Sequence, residues 1–241
     1  MSDRSRSFDA VAAEYERHRP EYPQEALRWA VEQLGIEPGA HVLDVGAGTG
    51  KLTRGLVAFG FEVAAVEPGA SMLHQLRTAV PEAEALEGPA EAIPLPDGSV
   101  DAAFAGQAYH WFDPQRAVPE LHRVVRAGGG LVLVWNWRDE RDPLQRELGE
   151  LIGFAGHEPG RKEQLPAGPW FQERGRTVVE QVQESSPDAL VAYLSTASAF
   201  VVADPAERKE SLRAVHETAS RYGDRFPLPR LTYVFAFERL S

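Results

Sequence analysis

The 241-residue sequence has no cysteine, which excludes disulfides, thiolate metal sites and cysteine nucleophiles together. Lysine is nearly absent: it occurs only at 51, 162 and 209, so arginine supplies 22 of the 25 basic residues, a bias of genomic composition rather than of task. Acidic residues number 36, giving a formal net charge of −11. That balance argues against a phosphate-backbone partner, because nucleic-acid binders display a basic face. No apolar signal core follows Met1-Ser2-Asp3-Arg4, and no run approaches the roughly 20 apolar residues of a membrane span. The expectation is a cytoplasmic protein that engages neither nucleic acid nor membrane. The histidines at 18, 41, 74, 122, 157 and 216 show no ligand spacing with acids, so no metal is implied.

What the chain does have is alternation. Runs at 40–43, 62–66, 101–105 and 131–135 read as strands, and apolar residues at helical spacing follow from 51 to 59 and from 114 to 125. Residues 144–154, 188–196 and 205–222 read as further helices, 177–182 and 231–237 as two more strands, and 156–175 as irregular. Short connections between strand and helix point to the α/β class, a doubly wound, mostly parallel sheet. No repeat or linker divides the chain, so residues 1–241 are taken as one domain.

At the end of the first strand stands Asp44-Val45-Gly46-Ala47-Gly48-Thr49-Gly50. A carboxylate and a glycine turn thus lie where a parallel strand hands over to a helix, the place where open α/β sheets bind nucleotides. A dinucleotide fingerprint requires a third glycine at the sixth position, which here is Lys51. Asp44 would also face a pyrophosphate: at about 4 Å and an effective dielectric near 20, the repulsion is on the order of 4 kcal/mol per pair of unit charges. A nicotinamide cofactor is therefore disfavoured. A ligand with an ammonium, a sulfonium and no phosphate would be stabilised by Asp44, and S-adenosylmethionine fits that description. Glu67, followed by Pro68, ends the second strand 23 residues after Asp44, close to the ~20 expected of a ribose-binding acid. A carboxylate accepting from two vicinal hydroxyls makes charge-assisted, geometrically specific bonds.

Residues 42–50 resemble the first motif of class I S-adenosylmethionine-dependent methyltransferases. Leu86-Glu87-Gly88-Pro89-Ala90-Glu91, continuing to Asp101, looks like the family segment that lies along the adenine, with Pro89 where an aspartate often contacts the amino group. Gly106-Gln107-Ala108-Tyr109-His110-Trp111-Phe112-Asp113 resembles the corresponding segment of the type 11 branch, similar to trans-aconitate methyltransferase. Phe8, Tyr15 and Arg19-Pro20-Glu21-Tyr22-Pro23 look like the opening of the same group. The resemblance spans residues 8 to about 137. It implies a Rossmann-like, seven-stranded methyltransferase sheet whose final two strands pair, one running antiparallel. It also implies S-adenosylmethionine as cofactor, S-adenosylhomocysteine as product, and a cofactor site formed by Asp44, Gly46, Ala47, Gly48, Thr49, Gly50, Glu67, Pro68, Ala90, Glu91 and Gln107.

The N-terminal segment, about 1–30, and a helical insertion at about 187–222 would lie over the carboxyl ends of the sheet as a lid. Methyl transfer is an in-line displacement, so holding the acceptor at near-attack distance in a dry pocket can supply much of the catalysis. His110 is the candidate base, with loop packing as its alternative; a carboxylate acceptor needs no base. Tyr15, Tyr22 and Trp111 are candidates for an aromatic wall that favours the sulfonium. Arg19 is a candidate partner for an anionic acceptor. Tyr193, Thr196 and Ser198 are candidate acceptor contacts, although helical packing accounts for them equally. The expected activity is methylation of a small molecule on a carboxylate or hydroxyl oxygen. Nitrogen or carbon methylation and a non-catalytic cofactor-binding module are the alternatives. A nucleobase acceptor is disfavoured by the absence of an Asn-Pro-Pro-Tyr-like turn after the fourth strand, and a homodimer is compatible with the sequence.

Overall fold

The computed structural model describes residues 12–153, 159 and 169–241, so Phe8, Phe154 and most of the 156–175 stretch lie outside the described residues. The chain runs α1 (Ala12–His18), α2 (Gln24–Leu34), β1 (His41–Val45), α3 (Lys51–Ala58), β2 (Glu62–Glu67), α4 (Ala70–Ala79), β3 (Glu84–Glu87), β4 (Val100–Gly106), a 3-10 turn (Tyr109–Trp111), α5 (Pro114–Val124) and β5 (Val125–Arg138). It continues through α6 (Pro143–Leu151), β6 (Phe171–Ser185), α7 (Pro187–Ser195), α8 (Ser198–Val201), α9 (Pro205–Ser220) and β7 (Phe226–Arg239).

The seven strands form one sheet in the order β3-β2-β1-β4-β5-β7-β6. The first five pair with one another in parallel, and β7 runs antiparallel to both β5 and β6. This is the Rossmann-like sheet the sequence implied. The central strands read as continuous apolar runs because both faces are covered. On β5, Leu131 and Leu133 pack with Leu121 and Val124 of α5 on one side, while Val132 and Val134 pack with Leu27 of α2 and Leu56 of α3 on the other. Fully burying one such leucine or valine contributes about 1.5–3 kcal/mol. A third apolar cluster gathers Leu148 of α6, Leu190 of α7, Val215 of α9 and Leu228 of β7.

Element ends follow local chemistry. The Asp113 side chain accepts from the Gln115 amide at 3.0 Å, with Pro114 at the first helical position, which starts α5. Three elements run longer than their patterns suggest: β6 begins at Phe171, so residues 171–175, expected to be irregular, are strand paired to β7. The strand β5 begins at Val125 because Gly128–Gly130 form a bulge: β4 pairs Val100 with Val125 but Ala102 with Gly130. The strand β7 begins at Phe226 despite Pro227 and Pro229. Both prolines pair only with β6, since β5 reaches no farther than the Arg138–Arg230 pair, so neither must donate on its β5 side.

Strand order reverses between β1 and β4, with α2 and α3 against one face and α5 against the other. The crevice outside the carboxyl ends of these two strands is the switch point at which such sheets bind ligands.

Candidate active site

The glycine turn is bound to the end of β2: the amides of Gly46 and Ala47 both donate to the Val66 carbonyl, at 2.8 and 3.1 Å. Gly46, Gly48 and Gly50 all have positive φ, at 69°, 58° and 92°, which glycine alone adopts without strain. A Cβ on Gly46 would stand 2.6 Å from the Cβ of Ala108, whereas one on Gly48 would meet nothing within 4 Å. Gly46 therefore packs the turn against the loop after β4, and Gly48 faces open space. Gly46→Ala is expected to lose about 2 kcal/mol or more of stability, from backbone strain and overpacking together; a denaturant midpoint equal to wild type would refute that packing role.

Asp44 is fully buried on β1. One carboxylate oxygen, Oδ2, accepts from the Thr53 hydroxyl at 2.6 Å; the other, Oδ1, is buried with no hydrogen-bond partner, as is Oγ1 of Thr49. Burial raises the Asp44 pKa to about 7, against the lowering effect of the Thr53 bond and with the charge of Glu67 adding to the rise. Both residues line a small cavity of about 30 Å³ that also touches Tyr22 and Gly48. An unpaired carboxylate oxygen in such a wall is costly unless a donor from outside completes it.

Glu67, buried at the end of β2, accepts from the Gly48 amide at 2.9 Å through Oε2 and from the Gly69 amide at 2.8 Å through Oε1. These two bonds orient its carboxylate across the turn. With Pro68, it lines a second, larger cavity of about 270 Å³ that adjoins the first and reaches Gly46 and Gly48. Ala90, Glu91, Gln107, His110, Trp111 and Tyr193 line the same cavity, and Tyr15 and Arg19 stand where the two meet. Of the expected cofactor residues, Asp44, Ala47 and Thr49 line only the smaller cavity, and Gly50 lines neither, because its α-carbon packs toward Leu76 and Val80.

Gln107 is the one non-glycine residue with positive φ among the described residues, at 54°. Its backbone amide donates to the Val134 carbonyl at 2.9 Å and its side-chain amide to the Asn136 carbonyl at 2.6 Å. Such enforced left-handed backbone concentrates at functional sites. The Oε1 of Glu91 accepts from the Asp113 amide at 2.9 Å, tying the 89–91 loop to the segment after β4.

Several expectations change in detail. Tyr22, expected at the acceptor, lines only the smaller cavity beside Asp44, because Gly106 lets its ring approach the backbone. Thr196 is fully buried and lines neither cavity: its hydroxyl and carbonyl accept from Arg19, at 2.9 and 3.0 Å. It braces the arginine instead of meeting a ligand. The side chain of Ser198 lies outside the described residues. For His110, the indole N–H of Trp135 points at Nδ1, 3.4 Å away, so the neutral ring carries its proton on Nε2. Desolvation, with the charge of Arg19 second, lowers its pKa to about 4. Its cavity-facing ring is thus a neutral hydrogen-bond donor, and the geometry works against its expected role as a base.

Over residues 43–133 the chain matches the family described as "Methyltransferase domain". It is 45% identical over 216 residues to an uncharacterized methyltransferase of Mycobacterium tuberculosis, covering 89% of this chain and 86% of that protein. It is 31% identical over 214 residues to an uncharacterized methyltransferase of Schizosaccharomyces pombe, covering 87% and 85%. A solved structure from Anaeromyxobacter dehalogenans, described as a type II methyltransferase, is similar with a TM-score of 0.60 and 32% identity over 92% of this chain and 97% of that one. The chain belongs to the class I S-adenosylmethionine-dependent methyltransferases.

The site of this methyltransferase fits its cofactor. Asp44 Oδ1 offers an unpaired acceptor that an ammonium would complete, Gly48 leaves room against the backbone, and Glu67 presents an oriented carboxylate at a spacing along the chain that would suit a ribose. Lys51, which breaks the dinucleotide pattern, is engaged elsewhere: its Nζ lies 2.9 Å from Glu21 and 3.8 Å from Glu16, and Arg54 joins the same two acids. The pair thereby ties α3 to the segment around α1. Among the described residues no group of three potential metal ligands occurs, and no helix is long and apolar enough to cross a membrane.

The sequence reading missed Arg230, Asn136 and the apolar wall of Leu148, Ile152 and Leu194, all of which line the larger cavity. A signal for Arg230 existed. It falls in phase with Leu228, Thr232 and Val234, the buried positions of β7, and a charged residue in phase with a buried strand face is a functional candidate.

Proposed function

We propose that this methyltransferase acts on a small-molecule acceptor, at the oxygen of a carboxylate or hydroxyl. The proposal includes a lid formed by residues up to about 30 and by the helices between β6 and β7. One observation carries the reading: a cavity of about 270 Å³ meets the glycine turn at one end and is lined by Leu148, Ile152, Leu190 and Leu194 at the other. That volume, near the lower bound of about 300 Å³ for small-molecule sites, has to take the cofactor at its Glu67 and Ala90 end as well as the acceptor, which favours a compact acceptor over a macromolecule. Arg19 and Thr196, at the ends of α1 and α7, join the two parts of the lid through the bonds given above. The net charge of −11 supports an acceptor other than nucleic acid. The preference for oxygen leans on the resemblance to the trans-aconitate branch.

Bound S-adenosylmethionine supplies an electrophilic methyl group: as the acceptor oxygen forms the new C–O bond, the C–S bond breaks, its electron pair stays on sulfur, and S-adenosylhomocysteine is left. The chain's own residues position and enclose. Asp44 and Glu67 hold the donor, Tyr15 and Trp111 exclude water, and His110 offers its Nε2–H to the acceptor. A carboxylate acceptor loses no proton, which is consistent with a histidine that is not a base.

The test is transfer of a labelled methyl group to pooled carboxylic acids, alcohols and phenols, set beside amines, RNA and protein. Product is expected in the oxygen pools, with His110→Ala lowering turnover by less than about tenfold, below the 10²–10⁴ of general-base catalysis. Product confined to RNA or protein would overturn the small-molecule reading. Product only in amines, or none in any pool despite cofactor binding, would favour the nitrogen-methylating or non-catalytic alternatives.

A further inference from the structure

The larger cavity carries a surplus of positive charge at one place. Arg230 is 6% exposed, its Nε donates to Gln183 at 3.0 Å, and its guanidinium lies 4.3 Å from the centre of the Tyr193 ring. Arg19 lies 5.1 Å from the same ring and 5.0 Å from that of Tyr15. Neither arginine has a carboxylate partner among the described residues, although the chain carries 36 acids against 25 bases. The third arginine of the wall, Arg138, is neutralised by Glu140 at 2.7 Å. A buried cation without a counter-ion is expensive to keep. With five N–H groups on each guanidinium, the bonds from Arg230 to Gln183 and from Arg19 to Thr196 leave donors unspent. The field is also felt by Tyr193, whose hydroxyl is pulled below its ordinary pKa, against the effect of its burial, by the charges of Arg230 and Arg19.

We infer that the acceptor is an amphipathic monocarboxylate, its carboxylate seated against Arg230 with Arg19 as the second cation and its apolar body lying along Leu148, Ile152 and Leu194. The guanidinium fork matches a planar carboxylate. The apolar residues continue the cluster under α6 and α7, which suits an alkyl or aryl body and not a second charge. A diphosphate fits poorly. It would bring at least two negative charges to a cavity that already holds Glu67, with no metal-binding group among the described residues to offset them. This inference rests on the small-molecule reading above and narrows it to one chemical class.

Octanoate and 1-octanol, equal in length and different in charge, are the probes. Each is titrated calorimetrically into wild type and Arg230→Gln, with and without saturating S-adenosylhomocysteine. Octanoate is expected to bind wild type at least tenfold more tightly than octanol. Arg230→Gln should weaken octanoate by about 10–100-fold, the value of one charge-assisted bond, while leaving octanol and S-adenosylhomocysteine unchanged. Equal affinity for the two probes, or an unaltered octanoate affinity in the variant, would overturn the inference. So would loss of S-adenosylhomocysteine affinity in a folded Arg230→Gln, which would place Arg230 in the cofactor site. If that variant fails to fold, the wild-type comparison decides by itself. Failure of wild type to bind S-adenosylhomocysteine would instead strike the cofactor reading, and the titrations of ligand-free protein would still judge the carboxylate.

Discussion

Asp44→Asn is expected to make the ligand-free protein more stable and to weaken S-adenosylhomocysteine by about 10–100-fold, the loss of one charge-assisted hydrogen bond. The two effects share a cause. In the fold Asp44 keeps its proton to about pH 7, whereas an unfolded chain releases it near 3.8. Stability is therefore lost progressively as the pH rises from about 4 to about 7, and at pH 8 the buried charge opposes folding by on the order of 4 kcal/mol. Asparagine removes that charge and can still accept from Thr53, but it leaves buried N–H groups, at about 1–3 kcal/mol. A net gain of about 1–3 kcal/mol follows, or a Tm several degrees higher at about 2–4 °C per kcal/mol. At pH 4, where the wild-type carboxyl is also neutral, the gain should be gone and only the cost of the buried N–H groups left, making the variant no more stable than wild type. Binding reads the same proton. An ammonium needs the charged carboxylate, so wild-type affinity should fall about tenfold between pH 8 and pH 6, with close to one proton released per ligand bound at pH 6. Calorimetry in buffers of different ionisation heat measures that proton, and the asparagine variant should release none. An asparagine variant that binds like wild type would remove Asp44 from the cofactor site.

Glu67→Gln should be still more damaging to cofactor binding, with an affinity loss of about 100-fold or more if two charge-assisted bonds are lost together. The wild-type carboxylate accepts from the amides of Gly48 and Gly69 through different oxygens. A glutamine has one carbonyl oxygen, so its NH₂ must face one of those amides, donor against donor. The variant thus loses the charge meant for the ribose and loosens the turn that carries Gly48. Glu67→Ala, which removes the clash but also both acceptors, should fall in the same range. Equilibrium titration with S-adenosylhomocysteine, paired with thermal melting to confirm folding, checks both. An affinity within threefold of wild type in either folded variant would exclude Glu67 as the ribose anchor.

The cofactor half was legible in the sequence because its determinants are local. A strand that ends in a carboxylate, a turn that demands positive φ at 46, 48 and 50, and a second strand that ends in an acid all sit within a short stretch of chain. The acceptor half was not. Arg230 was missed because the expected strand began at 231, whereas β7 starts at Phe226 and puts Arg230 on its buried face. Thr196 looked like a ligand contact because nothing in its neighbourhood reveals that Arg19, 177 residues away, takes its oxygens. The place of Tyr22 was hidden for a related reason: only the fold shows that Gly106 admits its ring beside Asp44. His110 was found as a residue, but the choice between base and packing role depends on its tautomer, which is set by Trp135 on β5, 25 residues away.

The cofactor site stands or falls on which partner each buried acid takes. A crystal structure of the protein with S-adenosylhomocysteine tests this most directly. The expected result places the ligand's amino group within hydrogen-bond distance of Asp44 Oδ1 and its ribose hydroxyls on Glu67. A structure in which Asp44 Oδ1 stays unpaired while the ligand lies elsewhere, or in which Glu67 faces no sugar, would contradict it.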